Sequence, residues 1–322
     1  MENSFRISNT RKIHFLSKGF VFVILLICSQ AFSQKKVHNQ FIWASVQENN
    51  GQITVLLPNG NFGIDGQLSF YGHSYFSCII NNQVFSNNDV AVQPSNAGTG
   101  WQLVDGTTTV VADTIITTWT RVGIDIIQEV YPIAFEKSGQ IGMRWKFRNP
   151  NNSTPAAIAC QYLNDIAITD PHDPGQDNSN DGPIIIHRYA YKDAWQRMPS
   201  PNYPQIPWFY GGFLRDLPNT NPGISAFGFL DNPALGTIKP MTVTIGDWTI
   251  MSSTAFGHPT PDWPLGTALG SDNAMLIEFP YIGVPKGKTV LGGSTTYGTG
   301  EFEVCNGSLV GVLFYPHRLK WD

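Results

Sequence analysis

The sequence predicts an all-β protein, a single large antiparallel β-sandwich with few or no helices, over residues 34–322. Apolar and polar side chains alternate with a period of two in several segments, and no segment carries an apolar stripe of helical period. Glycine (31) and proline (22) are plentiful, which is typical of chains with many turns. The chain is too long for a single immunoglobulin-type unit of about 100 residues. One large sandwich is the favoured interpretation, and two smaller sandwiches packed together are the alternative.

The individual strands follow from local patterns along the chain. Residues 107–122 are rich in Thr, Val and Ile, and we expect them to pair with residues 124–131. Residues 141–148 alternate between large apolar and mostly basic side chains, which predicts a strand with one buried and one solvated face. Residues 241–251 form two alternating runs around Gly246-Asp247, which predicts a hairpin with a two-residue turn. Further strands are predicted at residues 184–191, 274–279 and 309–315.

Residues 1–33 have the organisation of a secretory signal peptide. Basic residues precede a short apolar core at residues 20–27 (FVFVILLI), and small residues suited to cleavage lead up to Ser33. The apolar run is much shorter than the roughly 20 residues that span a bilayer, so no permanent membrane span is expected. Cys28 follows the bulky Ile27, which disfavours a lipoprotein signal. We therefore expect a secreted or periplasmic bacterial protein, cleaved near Ser33.

Charge excludes two classes of partner. Residues 34–322 carry 16 basic and 23 acidic residues, a formal net charge of −7. Nucleic acids and anionic membrane surfaces both require clustered Lys and Arg, so neither is expected as a partner. Charged residues make up only 14% of the chain. A neutral surface rich in amides, hydroxyls and aromatic rings is typical of proteins that contact polysaccharides or cell-surface glycans.

Three cysteines remain after removal of the leader: Cys78, Cys160 and Cys305. An odd number cannot pair completely, so either one disulfide with one thiol or three buried thiols are expected. Cys78 and Cys160 both lie in apolar, strand-like segments, and this favours buried thiols.

Several segments together resemble a known family. Residues 139–165 read as a strand, an Asn-rich turn and a second strand that ends at Asp165, and short motifs follow at residues 272–276, 284–288 and 296–298. This arrangement resembles the galactose mutarotase-like β-supersandwich and secreted bacterial β-sandwich domains. The resemblance implies a fold shared by aldose epimerases and by accessory domains of glycoside hydrolases and polysaccharide lyases. The epimerases use a His acid and a Glu base, for which His187 and Glu278 are the candidates, but no motif around either residue transfers catalysis.

The densest polar segment is a candidate calcium site. Residues 173–181 (DPGQDNSND) offer the carboxylates of Asp173, Asp177 and Asp181 at short spacing, and calcium takes about six to eight oxygen ligands. The segment does not fit an EF-hand loop. The favoured alternative is a solvated loop whose side chains bond their own backbone. No other cofactor is expected, and the scattered His and Cys residues do not predict zinc.

Catalytic candidates are few. His187 and Tyr189 project to the same face of a predicted strand, where they suit proton transfer in a lyase, and Asp165 ends another strand. The apolar residues just before His187 favour a buried strand in which this histidine is a core residue. The chain contains no nucleophile elbow, phosphate loop or dinucleotide fingerprint.

Aromatic side chains in Pro-rich segments are the candidate ligand-binding group: Trp208, Tyr210 and Trp263, with Arg215 nearby. Rings displayed on loops stack on the apolar faces of sugars. The alternative is that these rings fold inward and cap the ends of the sandwich.

Three functions are compatible with these observations. The leading hypothesis is an exported β-sandwich that binds glycan or a cell-surface component without catalysis. The second is a polysaccharide-active enzyme, a lyase or glycoside hydrolase, in which His187 or Asp165 meets a carboxylate, Tyr or Arg within hydrogen-bond reach. The third is a structural envelope protein, which predicts a large exposed apolar patch.

Overall fold

The computed structural model describes residues 34–59, 63–67, 74–87, 102–135, 138–150, 154–166, 184–186, 194–201, 204–207, 209–213, 225–252, 263–269, 273–299, 301–305 and 308–313. These residues form 21 β-strands, a single-turn helix α1 (Trp248–Met251) and a 3₁₀ turn (Pro233–Leu235). In this part of the chain no helix has the length and apolar character to cross a membrane. The strands, in chain order, are β1 (Gln34–His38), β2 (Trp43–Gln47), β3 (Ile53–Asn59), β4 (Gly63–Gln67), β5 (Tyr75–Ile80), β6 (Gln83–Ser86), β7 (Thr107–Val111), β8 (Thr114–Arg121), β9 (Ile124–Phe135), β10 (Ser138–Arg148), β11 (Ala156–Asp165), β12 (Ile184–Ile186), β13 (Gln196–Met198), β14 (Phe209–Phe213), β15 (Ser225–Phe229), β16 (Thr242–Asp247), β17 (Asn273–Glu278), β18 (Ile282–Val284), β19 (Thr289–Thr299), β20 (Glu301–Cys305) and β21 (Ser308–Leu313).

Two large sheets dominate the architecture. The first has eight strands in the order β12-β14-β15-β19-β10-β9-β8-β7, and the second has the order β13-β16-β17-β11-β5-β6, with β18 also paired to β11. A smaller sheet contains β1-β2-β3-β4, and β20 pairs with β21. The strand pairs with a determined register are antiparallel, as the sequence predicts.

The two large sheets pack face to face around Trp145. Its ring centroid lies 5.2 Å from that of Phe76 on β5 and 4.9 Å from that of Tyr162 on β11. Its indole Nε1 donates a 3.0 Å hydrogen bond to the side chain of Gln128, so the polar atom of this fully buried ring is satisfied. The apolar side chains of the 141–148 segment are all fully buried, and the predicted alternation is confirmed.

The predicted pairing of residues 107–122 with 124–131 is also confirmed. The first segment divides into β7 and β8, which form a hairpin, and β8 then pairs with β9. The β8–β9 turn places Val122 and Gly123 at φ 46° and 77°, the left-handed conformation that tight hairpin turns require.

The hairpin predicted around Gly246-Asp247 is wrong. Strand β16 runs through both residues and pairs with β13 on one side and β17 on the other, and α1 follows it. Gly246 allows the Trp195 ring to lie close to the strand backbone and does not form a turn. A β-carbon at Gly246 would lie 2.1 Å from Cζ3 of Trp195, so only a residue without a side chain allows this ring to lie on the strand.

The other predicted strands are present at least in part. Strand β17 matches the predicted 274–279 segment, and β21 covers most of the predicted 309–315 segment, of which residues 314–315 lie outside the described residues. Strand β12 covers only Ile184–Ile186 of the predicted 184–191 segment, and residues 187–191 also lie outside. Cys78 and Cys160 are buried thiols in the structure, as expected.

Candidate functional site

The second large sheet contains β13, β16, β17, β11, β5 and β6, with β18 paired to β11. Its two faces carry different groups of side chains. Its inner face contributes Tyr162, Met275 and Ile277 to the main core. Its outer face, which points away from the eight-stranded sheet, carries a second apolar cluster that includes Tyr75, Leu163, Leu276, Trp195 and Trp263. Since side chains alternate between faces, strands β5, β11 and β17, which contribute to both clusters, are buried on both sides along part of their length.

Register places a group of polar residues on the same outer face. Gln161 on β11 lies opposite Glu278 on β17, and Arg197 on β13 lies opposite Thr244 on β16. Thr244 in turn lies opposite Leu276, a member of the outer cluster. Residues directly opposite each other in an antiparallel pair project to the same face, so these four polar side chains share that face. Together with Trp263 they form what we call the outer-face site.

Three members of the outer-face site are buried polar groups without a hydrogen-bond partner. Gln161 is 2% exposed, Thr244 is 0% exposed and Trp263 is 9% exposed. Within the residues that the structure describes, no acceptor meets Gln161 Nε2 or Trp263 Nε1, and no group pairs with Thr244 Oγ1. A buried polar atom left unpaired costs about 1–3 kcal/mol, so such atoms are rare in native proteins unless a ligand or water completes them.

The charged members of the site are held in place and remain partly open. An Arg197 guanidinium nitrogen lies 3.3 Å from a carboxylate oxygen of Glu278. The guanidinium carbon also lies 5.5 Å from the centroid of the Trp263 ring, within the range of a cation–π contact. The side chains of Arg197 and Glu278 are 25% and 19% exposed, so solvent or a ligand reaches them.

Rigid aromatic packing supports the site from one side. Trp263 and Trp195 have ring centroids 6.0 Å apart at an angle of 44°. Trp195 itself is fixed over Gly246, as described above. The ring that borders the site is therefore positioned by the sheet beneath it and not by a loop alone.

No titratable side chain lies directly across from Glu278 on either neighbouring strand, where Gln161 and Thr242 are its opposite residues. Glu278 is a carboxylate, but the residue directly opposite it on β11 is Gln161, whose amide neither gains nor loses a proton in the physiological range. The carboxylate on the same face of β11 is Asp165, four residues beyond Gln161 along the strand.

Two of the sequence-predicted residues, Asp165 and Tyr210, are joined by buried hydrogen bonds between the large sheets. The backbone N–H of Asp165 donates to Ser74 Oγ at 3.0 Å, and Ser74 Oγ donates to Asn164 Oδ1 at 3.4 Å. Asn164 Nδ2 then donates to Tyr210 Oη on β14 at 3.1 Å. Burial raises the pKa of the Tyr210 hydroxyl well above its usual value, so this group stays protonated at neutral pH.

The two aromatic candidates that the structure describes are both buried. Tyr210 is fully buried in the main core and stacks on Tyr297 with a centroid distance of 5.9 Å. Trp263 is buried on the outer face of the second sheet, against Trp195 and Arg197, as a member of the outer-face site.

The remaining candidates lie outside the described residues. They are His187, Tyr189, Trp208, Arg215, Asp173, Asp177 and Asp181. Their predicted roles, calcium binding included, therefore stay predictions. Within the described ranges there is no cluster of three or more His, Cys, Asp or Glu side chains able to hold a metal ion.

Sequence reasoning missed Gln161, Arg197 and Thr244. They come from three different strands, and nothing in their spacing along the chain joins them. A usable signal was present in β11, where Gln161 is a polar residue within an otherwise apolar run from Ala156 to Leu163. A polar side chain inside a strand that is buried on both faces requires a partner.

Comparison with known proteins finds similarity at the level of structure. Neither a family model nor a curated protein sequence matches the chain. An aldose epimerase homologue from Caenorhabditis elegans aligns with a TM-score of 0.40 and 8% identity, over 84% of this chain and 99% of that one. A galactose mutarotase-like protein from Lactobacillus casei aligns with a TM-score of 0.37 and 8% identity, over 83% and 100% of the two chains.

A larger protein is also similar in part. The α-galactosidase from Geobacillus stearothermophilus aligns with a TM-score of 0.43 and 9% identity, over 84% of this chain and 41% of that one. The chain thus spans less than half the length of that enzyme. At such identities and TM-scores these alignments assign no family, residue or activity to this chain.

Proposed function

We propose that this chain is an exported β-sandwich protein that binds a glycan at the outer-face site without catalysis. The observation that carries the proposal is the group of three buried, unpartnered polar atoms on Gln161, Thr244 and Trp263 beside the Arg197–Glu278 pair. These three atoms are not accessible to solvent in the structure, so a ligand reaches them only once the side chains that cover them move aside. Hydrogen bonds from the ligand then remove the desolvation cost of these atoms, and this is a source of affinity.

A sugar matches the chemistry of these groups. Its hydroxyls both donate and accept, so they suit an amide N–H, a threonine hydroxyl, an indole N–H and a carboxylate together. The Arg197–Glu278 pair leaves the site without a large excess of either charge, which favours a neutral glycan over a polyanion. The low charge content of the whole chain is consistent with this class of partner.

Absence of catalysis is supported by the residue opposite Glu278. General acid–base chemistry needs a second titratable group within hydrogen-bond reach of the same substrate, and Gln161 does not supply one. A polysaccharide lyase or hydrolase is the second candidate, because Glu278 is a carboxylate that solvent reaches. Product analysis on any glycan that binds distinguishes the two candidates.

Export is part of the proposal and is supported by the leader pattern of residues 1–33. N-terminal sequencing of protein recovered from the periplasm or the medium tests it. A mature chain that begins close to Gln34 is expected, and an intact Met1 terminus in the cytoplasm contradicts it.

Two isosteric substitutions test the site. Thr244→Val and Gln161→Leu keep the approximate volume of each side chain and remove its unpaired polar atom. Because removal of an unsatisfied buried group is neutral or stabilising, both variants should melt at or slightly above the temperature of the unmodified protein. Their affinity for the glycan should fall about tenfold or more, which corresponds to the loss of one hydrogen bond worth roughly 1.4 kcal/mol.

The measurement begins with a glycan array probed with the full-length chain, followed by calorimetry on the strongest ligand. Arg148→Gln serves as the matched control for Arg197→Gln, since Arg148 makes a comparable ion pair with Asp125, at 2.7 Å, on the eight-stranded sheet. Binding should fall in Arg197→Gln and stay unchanged in Arg148→Gln. Unaltered affinity in Thr244→Val and Gln161→Leu would mean that the ligand binds elsewhere. Conversion of the ligand into a product would mean that the protein is an enzyme and not a binding protein.

A further inference from the structure

Cys78 on β5 and Cys160 on β11 are directly opposite each other in the sheet. Both side chains belong to the main core, and they are 0% and 1% exposed. Two cysteines at one cross-strand position, on the same face, are a different situation from two thiols scattered through a core.

The hydrogen-bond pattern shows which kind of cross-strand pair this is. The carbonyl of Cys160 accepts a 2.9 Å hydrogen bond from the backbone N–H of Phe279, which follows β17, so the backbone groups of Cys160 point away from β5. The carbonyl of Ala157 accepts from Asn81 N–H, just beyond β5, also at 2.9 Å, which fixes the alternation along β11. Cys78 and Cys160 therefore occupy a non-hydrogen-bonded position, where opposite Cα atoms lie about 4.5 Å apart.

This spacing is compatible with a disulfide, whose Cα atoms are usually about 4.4–6.8 Å apart. Gly293 on β19 accommodates the Cys160 sulfur. A β-carbon at this glycine would lie 2.6 Å from the Phe279 ring and 3.0 Å from the sulfur, so the position of the sulfur depends on a residue without a side chain.

In the structure both residues are free thiols. We propose that in the exported protein these two thiols are oxidised to a disulfide that joins β5 to β11. The proposal depends on export into an oxidising compartment, where disulfides form and persist, and is independent of the glycan-binding function. Residues 34–322 contain three cysteines, so only one disulfide can form within the chain. The proposal assigns it to Cys78 and Cys160 and leaves Cys305 as a thiol.

The reaction is a pair of thiol–disulfide exchanges with a small-molecule disulfide as the oxidant. The thiolate of one cysteine attacks that disulfide, forms a mixed disulfide and releases one small thiolate, which takes a proton. The second cysteine then attacks the mixed disulfide at the protein sulfur and releases the second small thiolate. The two cysteine thiols are oxidised to one disulfide, and one external disulfide is reduced to two thiols.

The bond has to form before the sheets close. Burial raises the pKa of the Cys78 thiol well above its usual value, and burial likewise raises the pKa of Cys160. Thiolate is the reactive species, so the folded reduced protein offers almost none of it and no access to an oxidant. Oxidation therefore belongs to the folding reaction, and the folded protein keeps whichever redox state it acquired.

Peptide mapping tests the pairing. The exported chain, residues 34–322, is unfolded with reductant, refolded either with glutathione disulfide or with reduced glutathione, and then alkylated under denaturing conditions before digestion. After oxidative refolding, the peptide that contains Cys78 should be linked to the peptide that contains Cys160, with Cys305 alkylated. Alkylated Cys78 and Cys160, or a link from either one to another cysteine, would overturn the proposal.

Thermal melting of the same two preparations gives a second readout that needs no variant. The closed loop from Cys78 to Cys160 is long, and a cross-link of such a loop should raise Tm by about 10 °C in the oxidised preparation. The control is Cys78→Ala/Cys160→Ala, whose Tm should be the same after either refolding. Equal Tm values for the two preparations of the unmodified chain contradict a stabilising disulfide between Cys78 and Cys160.

Discussion

The contact between Trp195 and Gly246 predicts a strong coupling between two positions that are far apart in the sequence. Substitution Gly246→Ala adds one methyl group, and its carbon would lie 2.1 Å from one indole atom of Trp195 and 2.5 Å from two others. Ordinary contact needs about 3.4–4 Å, so the ring has to move by more than an ångström. Strand β16 cannot yield instead, because it is paired on both sides.

The expected cost of Gly246→Ala is about 1–3 kcal/mol in the free energy of unfolding, as for other insertions of a methyl group into a packed site. Trp195→Ala should cost about 3–5 kcal/mol because it removes a buried ring. In the double variant the added methyl group meets no indole, so the two costs should fall short of additivity by at least 1 kcal/mol.

Urea unfolding of the four proteins of this cycle measures the coupling. Gly283→Ala on β18 is the matched control, since a β-carbon at Gly283 meets nothing within 4 Å and its unfolding free energy should change by less than about 0.5 kcal/mol. Additive costs for Gly246→Ala and Trp195→Ala would refute the placement of the ring on β16. Such a result would also reopen the interpretation of Gly246-Asp247 as a turn.

Two further predictions concern pH and metal ions. Burial raises the pKa of Tyr75, Tyr162 and Tyr210 above the ordinary value near 10. The stability that the neutral hydroxyls contribute is therefore complete below about pH 10 and falls as the pH rises further. Thermal melts between pH 8 and pH 11.5 measure this loss; a constant Tm over that range contradicts it, and Tyr162→Phe should reduce the slope. If Asp173, Asp177 and Asp181 bind calcium, a chelator lowers Tm and added calcium restores it, whereas an unchanged Tm ends that prediction.

Strand β10 shows what the sequence makes predictable. Its alternation is sharp because one face meets the core around Trp145 and the other meets solvent, where Lys146 and Arg148 pair with acidic residues of β9. Period-two patterning of this kind depends only on neighbours within the strand, so it is visible without knowledge of the rest of the fold.

Strands β11 and β17 show what remains hidden. Both are covered on their inner and outer faces, so their residues read as continuous apolar runs without alternation. Which residues lie next to Gln161 and Glu278 depends on the order of strands in the sheet. That order brings β13, β16, β17 and β11 side by side, although long segments separate several of them in the chain. The same limitation applies to Gly246. A glycine is required there because the ring of Trp195, from a different segment, lies against it.

The register of β11 determines the composition of the outer-face site. Tyr162 packs against Trp145 on the inner face, with the ring centroids 4.9 Å apart, so Gln161 and Leu163 have to project outward. A slip of one residue would send Gln161 into the apolar core and Tyr162 out of it, and the cost of burying an unpaired amide there excludes that alternative. Packing of the core therefore determines that position 161 lies opposite Glu278. Whether the group there is an amide or a titratable side chain depends only on which residue occupies that position. The chemistry available opposite Glu278 thus depends on one side chain that the fold holds in place but does not itself require.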